Sequence, residues 1–528
     1  MTAFRWTFAA RLLGVVLPLL ACRNPESREP PLRLAVVIVV DQMLADEIAG
    51  PGIEWPGGFG RLVREGRWYS QAFHGHAHTE TASGHATIAT GVLPRLHGIV
   101  SKRVFRANED RLTLVCDFGL GPCERDILLV PTIGDRLKAV SPTSRVVSIA
   151  NKPRAGQLLG GARADLAGWV RTHPLRLEGR TNGRDGLPGW WTDAYSRAST
   201  PSARVQVWTL PALPPGLSGR PDEDPDEIDP GYGLTFPHRI PGTPEDWSAA
   251  LWQQTADGDR AILDAAFEAV RWLGLGRGES PDLLLLSLST LDNVGHYFGP
   301  DSLERAAALA DLDRLLGRFL ERLGAEVGGG VLVALTADHG VAPTPGHAAR
   351  AGHPGGRVRP EDLLAFIERG LEARLGPGHH VASVWYPYVS VEVEPVPDLA
   401  AHRATLAAVV AEILRAHPRV YGAWPVHSLA GETDPIARLL FENSAPSRSG
   451  DVAFALKPWW TMLDEEEGFL GAEHGTPWEY DRHVPLVLWG PGVAQGRVDA
   501  TVQVIDLGRS LGDALGLVPI DGGGRPLP

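Results

Sequence analysis

This chain predicts an α/β fold: a doubly wound, mostly parallel central sheet with helices on both faces and inserted cap regions. Three observations carry that expectation. Five short runs are almost wholly aliphatic, helical patterns lie between them, and three of the runs lead directly into an aspartate. A strand buried on both faces of a parallel sheet reads as a continuous apolar run, because no side of it meets water. Strands alternating with helices indicate helices packed on both faces of one sheet.

In chain order, the first run is 34–40 (LAVVIVV), which leads at once into Asp41. The segment 74–99 (HGHAHTETASGHATIATGVLPRLHGI) then places Thr79, Thr81 and Ser83 before Gly84 and His85, and 86–90 reads as a small-residue helix broken by Leu93, Pro94 and Gly98. A second strand is predicted at 146–150 and a third at 283–288 (LLLLSL), which runs on to Leu291-Asp292. Residues 302–324 carry apolar positions at helical spacing. The run 331–336 (VLVALT) reaches Asp338-His339, and 485–489 (PLVLW) is read as the last strand of the same kind. Ligands of open α/β sheets bind off the carboxyl ends of the strands, so the three aspartates should converge there.

Two long insertions are expected, at about 103–280 and 345–470. The first contains the acidic run PDEDPDEIDP at 221–230, read as a solvated loop. The second has helical patterns at 361–375 and 400–415 around a strand-like 384–393, a small α/β cap. No internal repeat is evident.

With 528 residues and 44% hydrophobic content the chain can bury a large core. Its formal charge of −13 argues against nucleic acid as a partner, since that requires clustered positive charge. The start, MTAFRWTFAARLLGVVLPLLAC, has arginines and then an apolar stretch too short to span a bilayer, which fits a signal peptide at 1–21. Its end, Leu-Leu-Ala-Cys, looks like a bacterial lipobox with Cys22 as the lipidated residue. The polar, proline-rich 22–32 then forms a tether before a catalytic region at 33–528. Membrane contact is expected only through that anchor, in the periplasm or cell envelope. Cys116 and Cys123 remain, a plausible local disulfide in an exported chain.

A hydroxyl at a helix start lies beside free backbone N–H groups, a place that favours a phosphate. Asp292 and His296, four residues apart, share one face if their segment is helical. Asp338-His339 and His474 add further oxygen and nitrogen donors without thiolates, a set suited to Zn²⁺ and open to Mn²⁺ or another transition metal.

Taken in order, Asp41, Thr-Glu-Thr, Asp-x-x-x-His, Asp-His-Gly and His-Gly-Thr resemble the alkaline phosphatase superfamily, over roughly residues 34–515. The resemblance is to its threonine-nucleophile phosphatase and nucleotide pyrophosphatase/phosphodiesterase branch. Ser83 stands where that branch often has proline. The resemblance implies Thr81 as nucleophile and two Zn²⁺ ions, one held by Asp292, His296 and His474, the other by Asp41, Thr81, Asp338 and His339. It further implies in-line displacement at a small phosphate ester, through a phosphothreonine intermediate. His74, His76, His78, His85 and His97 are read as support or packing. Lys152-Pro-Arg154 resembles the Lys-x-Arg element of the monoesterases, whose side chains contact phosphate oxygens, and Lys102 stands where the family commonly has asparagine. The implied activity is an exported zinc phosphomonoesterase, with a phosphodiesterase as the alternative. Sulfatases need a Cys/Ser-x-Pro-x-Arg motif that is absent, and the cytosolic phosphoglycerate mutases conflict with the leader. A surface lipoprotein that uses the fold only to bind anions is the reading from another class.

Overall fold

The computed structural model describes residues 30–528 apart from 107–110, 117–122, 124–126, 173–174, 183, 190, 192–206, 241–253, 393–397 and 464–470. The leader and Cys22 lie outside the described residues.

A ten-stranded sheet forms the centre. Its strands are β1 (Leu34–Val40), β2 (Arg67–Tyr69), β3 (Val146–Ala150), β4 (Leu166–Thr172), β5 (Leu175–Thr181), β6 (Arg184–Asp185), β7 (Asp282–Leu288), β8 (Val331–Thr336), β13 (Leu486–Trp489) and β14 (Gly496–Val498). Four further strands, β9 (Val381–Trp385), β10 (Tyr388–Val391), β11 (Val420–Pro425) and β12 (Val452–Leu456), form a separate sheet. The order across the main sheet is β14-β2-β13-β8-β1-β7-β3-β4-β5-β6. The five strands from β8 to β4 are mutually parallel. β1 and β7 are buried at every position, as the apolar run of β1 and the leucine-rich run of β7 require.

Two expectations need correction. β13 pairs antiparallel with β8, although its run reads like the parallel strands. With both faces covered, the apolar pattern carries no record of strand direction. The sheet is therefore parallel in its middle and mixed at both flanks. Residues 103–280 are also not wholly inserted, because β3 to β6 extend the main sheet and α3 (Ala256–Leu273) packs against β7.

The helices that matter most are α1 (Thr81–Thr90), α2 (Pro153–Gly160), α4 (Thr290–Phe298) and α5 (Leu303–Val327). α1 begins five residues earlier than the small-residue pattern suggests, with Thr81 as its first residue and Glu80 as N-cap.

Residues 356–462 form the cap. α6 (Pro360–Leu375) and α7 (Leu399–Arg415) cover the β9-β10-β12-β11 sheet around a core that includes Ile367, Val410, Leu414 and Phe454. The strand-like 384–393 is instead a hairpin, since Tyr386-Pro387 turns β9 back onto β10. Trp385 and Tyr388 of that hairpin share a buried cluster with Ala82 and Ala86 of α1, so the cap is packed onto the helix that carries Thr81.

The acidic run is not a solvated loop. Asp224 and Asp226 pair with Arg350, Glu227 is buried, and Ile228 N–H donates to the Tyr297 carbonyl near the end of α4. Charge on this segment is consumed by tying two site-bearing segments together.

Candidate active site

Strand register builds the site. β1 pairs with β7 so that Val40 faces Leu288, and with β8 so that Val39 faces Thr336. Continuing each ladder brings Asp41 level with Ser289 on one side and Asp338 on the other. β7 and β3 match Ser287 to Ala150, which brings Lys152 to the same edge. Asp41 is fixed by Ser287 Oγ (3.0 Å) and Ser289 Oγ (2.7 Å), both donating to its carboxylate. On α4, Asp292 and His296 do share a face, with Nε2 3.4 Å from Asp292 Oδ1.

The histidines are oriented by one device. Nδ1 of His296 lies 2.9 Å from the Ala472 carbonyl, Nδ1 of His339 2.9 Å from the Gly340 carbonyl, and Nδ1 of His474 3.2 Å from the Thr79 carbonyl. A nitrogen facing a carbonyl must carry the proton, so in the neutral ring Nε2 keeps its lone pair. Those Nε2 atoms face carboxylates: His296 and His474 face Asp292 (3.4 and 3.8 Å) and His339 faces Asp338 (3.3 Å). Lone pairs opposed to carboxylate oxygens repel unless a cation lies between them. The donor set therefore fits divalent metal ions, and His339 Nε2 is buried with no hydrogen-bond partner.

Two metal-competent groups stand out among the described residues. One is Asp292, His339 and His474, the other Asp41, His85 and Asp338. They differ from the sets that the resemblance implied. His339 lies with Asp292 and His474, its ring stacked on His474 at 3.6 Å, and also touches Asp338. His85, read as packing, sits between Asp41 (3.4 Å) and Asp338 (3.2 Å). Burial opposes its charge, but the two aspartates outweigh that and hold the imidazole up at about 10.

Lys152 departs from its expected place as well. Its ammonium contacts Asp292 at 2.5 Å and Asp41 at 3.3 Å, because three buried aspartates attract the nearest cation. These carboxylates overcome burial and raise the lysine further. Asp292 in turn is held well below the usual carboxylate range, chiefly by Lys152 working against its burial. Arg154 and Lys102 line the same cleft as Thr81. Beside them Glu80 is held down at about 2: burial is overcome by His78, 3.3 Å away, and by Lys102 and Arg154.

The two threonines separate clearly. Thr81 opens α1 and lines the cleft, while Thr79 is fully buried and donates to the Thr476 carbonyl (3.3 Å). His74, His76 and His97 are buried and belong to neither metal-competent group; burial lowers His74 to about 4 and His97 to about 3. Cys116 and Cys123 are bridged.

Gln42 is a site residue that no sequence motif marks. Its backbone N–H donates to Asp338 (3.1 Å) and its amide to Asp292 (2.9 Å), so it links the two metal-competent groups. The residue is left-handed, with φ 68°, and Arg305 clamps its side-chain and backbone oxygens at 2.8 and 2.7 Å. Its position directly after Asp41 is the one sequence signal that points to it.

Comparison with known proteins identifies the family and the fold. A model of the family described as type I phosphodiesterase / nucleotide pyrophosphatase matches residues 35–477. Alkaline phosphatase PhoK of Sphingomonas sp. is 30% identical over 531 residues, covering 93% of this chain and 90% of that protein. Alkaline phosphatase PafA of Elizabethkingia meningoseptica is 26% identical, with 94% of each chain covered. The crystal structure of wild-type PafA superposes with a TM-score of 0.83 at 24% identity, over 94% of this chain and 98% of that one, and so shares the fold.

Proposed function

Because the chain belongs to the type I phosphodiesterase / nucleotide pyrophosphatase family, and so hydrolyses phosphoric esters, we propose that it is an exported zinc-dependent phosphomonoesterase with Thr81 as nucleophile. The observation that carries this reading is the convergence of three aspartates and three oriented imidazoles at the sheet edge, beside a threonine at a helix start. Asp41, Asp292, Asp338, His296, His339 and His474, with the Thr81 oxygen, would hold two Zn²⁺ ions, with His85 between Asp41 and Asp338. When bound, the ions would lower the pKa of the threonine hydroxyl and neutralise charge on the departing oxygen.

The chain's own residues do the rest. Thr81 Oγ1 attacks phosphorus in line, the ester oxygen leaves, and a phosphothreonine forms; water then releases inorganic phosphate and restores the hydroxyl. Thr81 stands at the first turn of α1, and a helix start of this kind favours a phosphoryl group beside the nucleophile. Arg154, Lys102 and Lys152 supply cationic donors, which favour a dianionic monoester over a monoanionic diester. Ser287, Ser289 and Gln42 hold the aspartates in place. A diesterase is the second reading, favoured by the pairing of Lys152 with Asp292 and Asp41, which reduces the charge available to a second phosphate oxygen.

The leader and Cys22 support export and lipid anchoring in the cell envelope. Among the described residues no helix is long and apolar enough to cross a membrane. Turnover of an aryl phosphate monoester against the matching methyl diester, before and after chelation and zinc return, tests the reading. Monoester preference with zinc-restored activity is expected; full activity in stripped protein would overturn it.

A further inference from the structure

The cleft above Thr81 has a volume of about 550 Å³. That is the size of sites that hold drug-sized molecules, several times more room than a phosphoryl group fills. Its two walls differ in character. One is ionic, with Lys102, Arg154 and Asp292 around Thr81. The other comes from the cap and is mostly apolar: Val384 and Tyr386 from the β9–β10 hairpin, with Met462 and Leu463, beside Pro360 and Glu361 at the start of α6. The first four side chains are half-buried; Val384, Tyr386 and Met462 pack on the cap core with one side and border the cleft with the other. Tyr386 is braced edge-on by Phe454 (5.3 Å) and His78 (5.4 Å), which holds its ring in place. Trp385 on the hairpin and Tyr297, on α4 beside His296, add further aromatic side chains at the cleft.

An in-line displacement at Thr81 sends the leaving group away from the helix start and into the remaining space. We propose that the cap wall is a leaving-group subsite, and that the substrate is a phosphate monoester of a flat apolar alcohol, an aryl or heteroaryl ester. This rests on the monoesterase reading above. Rigid rings flanked by aliphatic and thioether groups favour a flat partner, because aromatic edges and faces add to the area buried.

Phosphonates with an unbreakable P–C bond test this, since leaving-group acidity plays no part in their binding. Methylphosphonate, hexylphosphonate and naphthylmethylphosphonate are compared as competitive inhibitors of the zinc-loaded enzyme and by calorimetry, with inorganic phosphate as reference. Naphthylmethylphosphonate is expected to bind about tenfold or more tighter than methylphosphonate, and more tightly than the hexyl compound. In the V384S/L463S double variant that advantage should collapse while inorganic phosphate inhibits as before, which also reports an intact phosphate site. Equal affinities of the methyl and naphthylmethyl compounds would overturn the subsite, and so would preference for the hexyl chain. If inorganic phosphate itself failed to compete in the unaltered enzyme, the monoesterase reading would fall and the subsite with it.

Discussion

Gly84→Ala sets two effects of opposite sign against each other. Gly84 lies inside α1, where alanine is intrinsically better by about 0.5–1 kcal/mol. Yet a Cβ there would stand 2.3 Å from the Asp338 carbonyl oxygen and 2.7 Å from Asp338 Cβ. Relief requires α1 and the Asp338 segment to separate by about 0.7–1.1 Å, taking the 2.3 Å contact to 3.0–3.4 Å. Overpacking of a buried contact costs about 1–3 kcal/mol, so the steric cost exceeds the helical gain. The same movement shifts Thr81 relative to Asp338. A misplacement of about 1 Å at a reacting centre can cost roughly a hundredfold, so a loss of about ten- to hundredfold in kcat is expected. Thermal unfolding and kcat on an aryl monoester, measured on the zinc-loaded protein, check both halves. A variant that is more stable and fully active would refute the close approach of α1 to Asp338.

The same geometry predicts further outcomes. Replacing Lys152 or Arg154 by alanine should slow monoesters about ten- to hundredfold more than diesters, since each charged hydrogen bond is worth about 1.5–3 kcal/mol; equal losses would assign both residues to structure and favour the diesterase. Lys102→Ala should slow both substrate classes alike, measured as kcat/KM on the two esters. Asp481 is buried and pushed up to about 8 despite accepting from the Thr476 backbone N–H and hydroxyl. Because its unfolded value is about 3.9, the folded state holds a proton that the unfolded chain releases. Its contribution is present at acid pH and lost as pH rises through about 8, so Asp481→Asn should flatten the decline in Tm over that range; an unchanged pH profile would refute it.

The sheet centre is legible in the sequence because burial on both faces writes an unmistakable apolar run, as at Leu34–Val40 and Val331–Thr336. Strand direction is not, because the same burial removes the alternation that marks an antiparallel edge, and Leu486–Trp489 reads as parallel for that reason. Asp41, Asp292 and Asp338 are legible because each stands just past the carboxyl end of an aliphatic run. The bridging roles of His85 and Gln42 are not, since each depends on partners up to 296 residues away that only strand register brings together. The acidic run at 221–230 misleads for a related reason: composition records its charge but not Arg350 or the end of α4, which neutralise and hold it.

The covalent step at Thr81 is the central claim, and acid-quenched peptide mapping tests it most directly. The zinc-loaded enzyme is mixed with an aryl phosphate monoester, quenched in acid and digested. The account predicts a single phosphate on the peptide containing Thr81, absent in Thr81→Ala and retained in Thr79→Ala. A phosphate on Thr79, or full turnover by Thr81→Ala with no phosphorylated peptide, would contradict it.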